Sequence, residues 1–151
     1  MNPQIINLKY YPESMEEAAQ WFADKWSVPF ELYLTSMAEA LFTKNSIPSW
    51  YVAIDDGKIV AGLGVIDNDF HDRPDLTPNL CALYVEKEYR GQELGADLLY
   101  TVVDDLNQND IEDIYLITDH DNYYERYGWE HIDMVKSLSD GKESKIYQYK
   151  G

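Results

Sequence analysis

Between residues 80 and 107 a strand, a glycine-bearing turn and a long amphipathic helix stand in series, and this stretch restricts the fold more than any other. Leu80 to Val85 is an apolar run of strand length. Glu86-Lys87-Glu88-Tyr89 and then Arg90-Gly91-Gln92-Glu93-Leu94-Gly95-Ala96 lead into a helix predicted over Gly91 to Asn107. Leu94, Leu98, Leu99, Val102, Val103 and Leu106 recur on one side of it at helical spacing. Ile111 to Thr118 is the next apolar strand. Such a strand–helix–strand crossover places the chain among mixed α/β folds. A glycine-containing turn that opens a helix also presents unpaired backbone N–H groups at the positive end of the helix dipole, which suits phosphate. No other junction here has that chemistry, and neither the P-loop nor the dinucleotide fingerprint is present.

The rest of the chain supplies the other elements. Residues 4–10 read as a strand. Ser14 and Glu17 have capping-box spacing, ahead of a helix whose apolar face is Met15, Ala18, Ala19, Phe22, Ala23 and Trp26. Pro29 interrupts the pattern, and a second helix is predicted from about Glu31 to Lys44, with Leu34, Met37, Ala38 and Leu41 inward. Trp50–Ile54 and Ile59–Ile66, separated by Asp55-Asp56-Gly57, form a hairpin signal. Residues 67–79 make a long loop with Pro74 and Pro78, of a length that in compact domains is usually functional or disordered. Asn122 to Tyr127 is a short helix ended by Gly128, and strands follow near 130–136 and 144–149. The order is β-α-α-β-β-β-α-β-α-β-β, with no linker or repeat, which predicts one α/β domain over 1–151.

Charge narrows the function. There are 28 Asp and Glu against 12 Lys and Arg, a formal net charge of −16. Phosphate backbones and anionic membrane surfaces repel such a chain. With 45% apolar residues and 13 Tyr the acidity does not signal disorder. A single cysteine, Cys81, excludes an internal disulfide and reads as a small buried hydrophobe. No signal peptide is visible and no run reaches the about 20 apolar residues that span a bilayer, so a cytoplasmic protein is expected.

At the crossover the sequence resembles a known family. YRGQELGADLL (Tyr89–Leu99) is similar to motif A of the GNAT superfamily of N-acetyltransferases, Arg/Gln-x-x-Gly-x-Gly/Ala. YYERYGW (Tyr123–Trp129), beyond the next strand, is similar to that family's Phe-Tyr-x-x-x-Gly-Phe segment. The longer stretch RPDLTPNLCALYVEKEYRG, with YLIT and YYERYGW, resembles a group of small bacterial GNAT proteins, and the likeness covers nearly the whole chain. It implies the GNAT fold, a mixed six- to seven-stranded sheet flanked by about four helices. It also implies an acetyl-CoA-dependent N-acetyltransferase acting on a small-molecule amine, without a metal, and allows a homodimer.

The resemblance assigns residues. Leu83, Tyr84 and Val85 would offer backbone groups to the pantetheine arm, and Arg90, Gly91, Gln92, Glu93, Leu94, Gly95 and Ala96 would wrap the pyrophosphate. Tyr124 matches the tyrosine that protonates the departing CoA thiolate. Glu93 stands where the family usually has glycine: either its carboxylate points to solvent and its N–H serves, or CoA binding is weakened. Asn79 stands where some members have a glutamate base. Asp72, Asp75, His71, Asp119 and His120 remain as candidate bases, with none preferred. Glu93 and Asn79 together motivate a rival, a GNAT-like acyl-CoA-binding or regulatory module that has lost catalysis.

The remaining features read as structure first. Asp119-His120-Asp121 is a strand-end loop rather than a metal site, since three adjacent residues do not converge on one ion without a tight turn, although His120 could line the acceptor site. His71 reads as a solvated loop residue, His131 as a strand residue, Tyr123 and Tyr127 as packing and Trp129 as a core plug. Trp26, Phe30 and Tyr33 are weaker candidates for an acceptor pocket. Between residues 91 and 125 there are ten acids and no Lys or Arg, a field that would attract a cationic amine; Lys87 and Arg90 are the local exceptions.

Overall fold

The structure is a computed structural model and describes residues 2–151. Seven strands form one sheet in the order β1-β2-β3-β4-β5-β7-β6. They are β1 (Gln4–Asn7), β2 (Ser49–Asp55), β3 (Lys58–Ile66), β4 (Asn79–Val85), β5 (Tyr115–Thr118), β6 (Trp129–Lys136) and β7 (Glu143–Tyr149). Helices α1 (Met15–Trp26) and α2 (Phe30–Phe42) join β1 to β2, and α3 (Leu94–Gln108) joins β4 to β5. Among the described residues only the β4–β5 pair, spanned by that crossover helix, is parallel.

Alternation along β2 explains the layers. Successive strand side chains point to opposite faces. Tyr51 and Ala53 belong to a core built with Leu98, Val102 and Leu106 of α3. Trp50 and Val52 belong to a second core with Ala18, Phe22 and Met37 of α1 and α2. The sheet is thus covered by α3 on one face and by α1 and α2 on the other. The β2–β3 hairpin closes through Asp56 and Gly57, both at positive φ (51° and 75°), between the paired residues Asp55 and Lys58. That left-handed pair favours Asp-Gly and matches the strand twist.

Several boundaries differ from expectation for local reasons. The first strand stops at Asn7, whose side chain accepts a hydrogen bond from the Lys9 N–H and starts a 3-10 turn over Leu8–Tyr10. Ser14 makes no capping bond: it closes the 3-10 turn Pro12–Ser14 with helical φ and ψ, so its hydroxyl is not placed to cap. On α2 the buried residues are Tyr33, Met37 and Ala40, and Leu41, expected inward, is 40% exposed. The third helix begins at Leu94 rather than Gly91, because Gly91 and Glu93 both take positive φ. The fifth strand begins at Tyr115, and the predicted helix over 122–127 is a single 3-10 turn, Tyr124–Tyr127, ended by Gly128 at φ 92°.

Candidate active site

The sheet opens at its centre. The β4–β5 ladder consists of two register pairs, Asn79 with Tyr115 and Leu80 with Leu116. Beyond Leu80 the β5-facing edge of β4 has no partner in that ladder, so it is free to bind an extended ligand as an added strand. A bulge lies where the strands part: Gly62 pairs with Tyr84 and Gly64 with Cys81, leaving Ala82 and Leu83 opposite Leu63 alone. Ala82 carries the strain of the bulge at φ 57°, and its carbonyl accepts the Trp26 indole N–H at 3.2 Å.

At the far end of β4 is the turn. Leu94, Gly95 and Ala96 open α3, so their N–H groups lack partners within the helix. An added side chain at Gly91 would meet nothing within 4 Å, so the approach is open there. A Cβ on Gly95 would sit 2.7 Å from the Tyr123 hydroxyl, so glycine lets that phenol pack against the first turn. Glu93 is exposed and left-handed. The turn is anchored from outside: Tyr89 donates to Asp55 at 2.5 Å, which holds the Asp55 carboxyl below its usual range and pushes the Tyr89 phenol up to about 12. Cations gather nearby. The Arg90 guanidinium lies 5.3 Å and the Lys25 ammonium 5.2 Å from the Tyr84 ring centre. Lys25 also pairs with Glu86 at 2.6 Å. Arg90 Nε donates to the Val85 carbonyl at 2.9 Å, so of the three predicted pantetheine contacts Val85 already has its carbonyl engaged.

Where β4 and β5 diverge, a cavity of about 650 Å³ opens toward α1 and α2. Leu83 of β4, Ile117 of β5 and Tyr124 line it together with Trp26 of α1, Tyr33 of α2 and Trp50 of β2. Trp50 fits because its cross-strand partner is Gly64, where a Cβ would press the indole at 2.4 Å. Tyr124 packs edge-on against Trp129 and tilted against Tyr147. Burial, with a smaller contribution from Tyr123, raises its pKa, so the phenol keeps its proton throughout the neutral range. Cys81 also lines the cavity, and burial pushes its thiol well up, which makes it a poor nucleophile.

The five candidate bases separate. Asp119 and His120 line the cavity from its exposed rim. His71 is not solvated but 1% exposed, bonded through Nε2 to Asn79 Oδ1 at 2.6 Å. Its Nδ1 accepts the Arg73 N–H at 3.1 Å, so Nε2 carries the proton and donates. Asp72 accepts the Lys136 N–H at 2.9 Å and Asp75 is held by Arg73. These three fasten the long loop rather than face the cavity. Asn79, fully buried, also donates to the Leu76 carbonyl at 2.7 Å, so it organises that loop from below. Among the acceptor-pocket candidates Trp26 and Tyr33 line the cavity, whereas Phe30 packs against the α1–α2 core. Asp121 pairs with Lys145 of β7. His131 is exposed on β6 and stacks on Tyr147.

The cavity also holds a carboxylate that sequence reading missed. Asp69, three residues past β3, lines the cavity beside Cys81, and burial raises its pKa. The loop's length reads as functional or disordered, and nothing local separates Asp69 from Asp67, Asp72 or Asp75.

The family model for the acetyltransferase (GNAT) family matches residues 15–129. Among solved structures, a GNAT-family acetyltransferase of Staphylococcus aureus Mu50 is 21% identical and aligns over 98% of each chain with a TM-score of 0.67. The ribosomal-protein-S18-alanine N-acetyltransferase of Escherichia coli is 17% identical over 98% of this chain and 93% of its own, with a TM-score of 0.67. The protein yncA of Salmonella typhimurium, solved with its cofactor acetyl-CoA, is 14% identical over 99% of this chain and 94% of its own, with a TM-score of 0.69. At these identities the likeness is one of fold. No curated protein matches the chain at a significant level.

Proposed function

Because the chain belongs to the acetyltransferase (GNAT) family, we propose that it moves the acetyl group of acetyl-CoA to a primary amine of a small cationic acceptor, by direct attack within a ternary complex. One observation carries this reading: the open edge of β4 runs from a helix-opening turn rich in free N–H groups to a cavity that Tyr124 lines. The residues fit such a cosubstrate. The turn offers backbone donors and Arg90 at the phosphate end, the edge past Leu80 offers ladder positions, and the cavity has room for the acyl end and an acceptor.

In this reading Arg90 to Ala96 hold the pyrophosphate, and Leu83 to Val85 hold the pantetheine arm and its carbonyl. Acetyl-CoA supplies an activated acyl carbon. Tyr124, kept protonated by burial, donates to sulfur as the C–S bond breaks, so its hydrogen bond strengthens as charge appears there. Holding amine and acyl carbon in contact accounts for much of the rate. No helix among the described residues is long and apolar enough to cross a membrane. The free thiol of Cys81 fits a reducing cytoplasm.

The rival, an acyl-CoA-binding module without catalysis, draws on Asn79, which is committed to the loop and takes no proton. A thiol-release assay with acetyl-CoA over a panel of amines, beside calorimetry, separates the two. Turnover with any amine supports the transferase, and heat without turnover supports the module.

A further inference from the structure

Asp69 is placed with care by the chain. Its backbone N–H donates to Asn79 Oδ1 at 3.2 Å, the same oxygen that receives the His71 Nε2 proton. Asn79 and His71 are both fully buried, so the start of the long loop rests on a fixed polar anchor. The side chain is treated differently. Among the described residues no donor reaches the Asp69 carboxylate, and no Lys or Arg lines the cavity it faces. A half-buried carboxylate with no protein cation beside it suits a ligand that supplies the missing charge.

The walls around it narrow what that ligand is. Trp26, Tyr33 and Trp50 give aromatic surface, and Leu32 and Phe70 extend it to the mouth. Two carboxylates line the cavity, Asp119 exposed at the rim beside His120 and Asp69 half-buried within. A molecule with several ammonium groups would find, beyond Asp69, the exposed Asp119 at the rim and would set any further charge against aromatic and aliphatic surface. A single ammonium on an apolar body matches both the charge and the walls.

We propose that Asp69 receives the ammonium of a primary monoamine carried on an apolar body and takes one of its protons before attack. This rests on the acetyltransferase reading above. The acceptor R–NH3+ loses a proton to the Asp69 carboxylate and becomes R–NH2. Its lone pair attacks the thioester carbon, the C–N bond forms, the C–S bond breaks, and the electron pair leaves on sulfur, which takes the Tyr124 proton. The second amine proton passes through solvent to restore the Tyr124 phenol. Asp69 releases its proton to bulk, so the amide, free thiol and one proton are the products. The titratable groups facing Asp69 are His71 on its own loop, Tyr33 on α2 and Cys81 on β4, with Tyr124, Asp119 and His120 on other walls of the cavity. His71 lowers the Asp69 pKa while burial, the larger effect, raises it.

The test is thiol release with acetyl-CoA and 2-phenylethylamine, n-hexylamine, spermidine, kanamycin or an alanyl dipeptide. It is run on the native chain, Asp69→Asn and Asp69→Glu from mildly acidic to alkaline pH. The two apolar amines should exceed spermidine and kanamycin about tenfold or more in kcat/KM, in line with what a few buried contacts discriminate. Asp69→Asn should lose about 100-fold near neutral pH, the lower range for a general base. That deficit should shrink as the pH approaches the amine's own pKa of about 10, where the neutral amine needs no base. Asp69→Glu should recover part of the rate with its pH dependence. Unchanged acetyl-CoA heats and an undiminished melting temperature keep the loss from being misfolding. A pH-independent deficit in Asp69→Asn, or a preference for spermidine, kanamycin or the dipeptide, overturns the inference and leaves the transferase standing. An absence of acetyl-CoA binding in the native chain removes the transferase reading, and this inference with it.

Discussion

The two ends of the cleft solve opposite electrostatic problems. At the phosphate end the donors are the backbone N–H groups that open α3 at Leu94–Ala96 behind the exposed turn Arg90–Glu93, with Arg90 and Lys25 over the Tyr84 ring. At the cavity end the half-buried Asp69 sits in a lining with several aromatic rings and, among the described residues, no Lys or Arg. The first end is solvated, so each charge there is worth little alone and the site works by number and geometry. The second is partly shielded from water, so one charge there weighs more in what enters. In a chain of net charge −16, the acidic bulk therefore matters less than the half-buried acid in its cavity.

The sharpest way to separate the ends is Tyr124→Phe. It should lower kcat about 100-fold through loss of the acid while acetyl-CoA affinity stays within a factor of about two, since the phosphate end is untouched. Equal losses in both would mean that Tyr124 supports the strand edge rather than the chemistry. Next in size, Arg90→Ala should weaken acetyl-CoA several-fold at low salt, with the difference fading as ionic strength rises. Saturated kcat should be preserved. A salt-independent loss would point instead to collapse of the Val85 contact. Glu93→Gly should be smaller and favourable. It relieves a left-handed residue, about 1 kcal/mol of strain before glycine's chain entropy is set against it, and removes a carboxylate from the phosphate turn. Calorimetry should show tighter acetyl-CoA binding, and no change would mean the Glu93 side chain never faces the ligand.

The smallest effects lie in stability against pH, and the two ends have opposite signs. Asp69 has a raised folded-state pKa, so its charging opposes folding as the pH climbs from 3.8 through that raised value. Asp69→Asn should thus melt higher than the native chain near neutral pH, with the gap closing as the pH falls toward 3.8. Asp55 has a lowered pKa through its bond from Tyr89, so its contribution is present above 3.8 and is lost as the pH falls through the lower folded value. Tyr89→Phe should thus melt lower near neutral pH, with that gap closing only in stronger acid. Thermal scans from pH 7 downward on both variants check the pair. Parallel rather than opposed trends would break the comparison.

The phosphate end was far more legible from sequence than the cavity. A turn, a glycine and a helix are consecutive in the chain, so local rules reach them, as they reach the Asp-Gly hairpin. Even there the helix start was misplaced by three residues, because Glu93 adopts a conformation that predicts glycine. The cavity is assembled from α1, α2, four strands, three loops and the 3-10 turn of Tyr124, and its partners are set by sheet order rather than by spacing. His71 looked like a solvated loop residue because its burial depends on Asn79, eight positions on. Asp69 was invisible for the same reason: its environment is created by Tyr33, Trp50 and Cys81, none of which is near it in sequence.

The parting of β4 from β5 has a mechanical meaning as well as a chemical one. Two register pairs join β1–β4 to β5–β7, whereas the neighbouring β3–β4 and β5–β7 ladders have five and four. The seam is thus the compliant line of the molecule, and α3, packed on the Leu80 and Leu116 side, is the splint that spans it. Anything that lies along the open edge of β4 adds rungs to the shortest ladder in the sheet. Occupancy of the cleft then stiffens the whole domain, and slower amide exchange at Tyr115 and Leu116, outside the cavity lining, would register it.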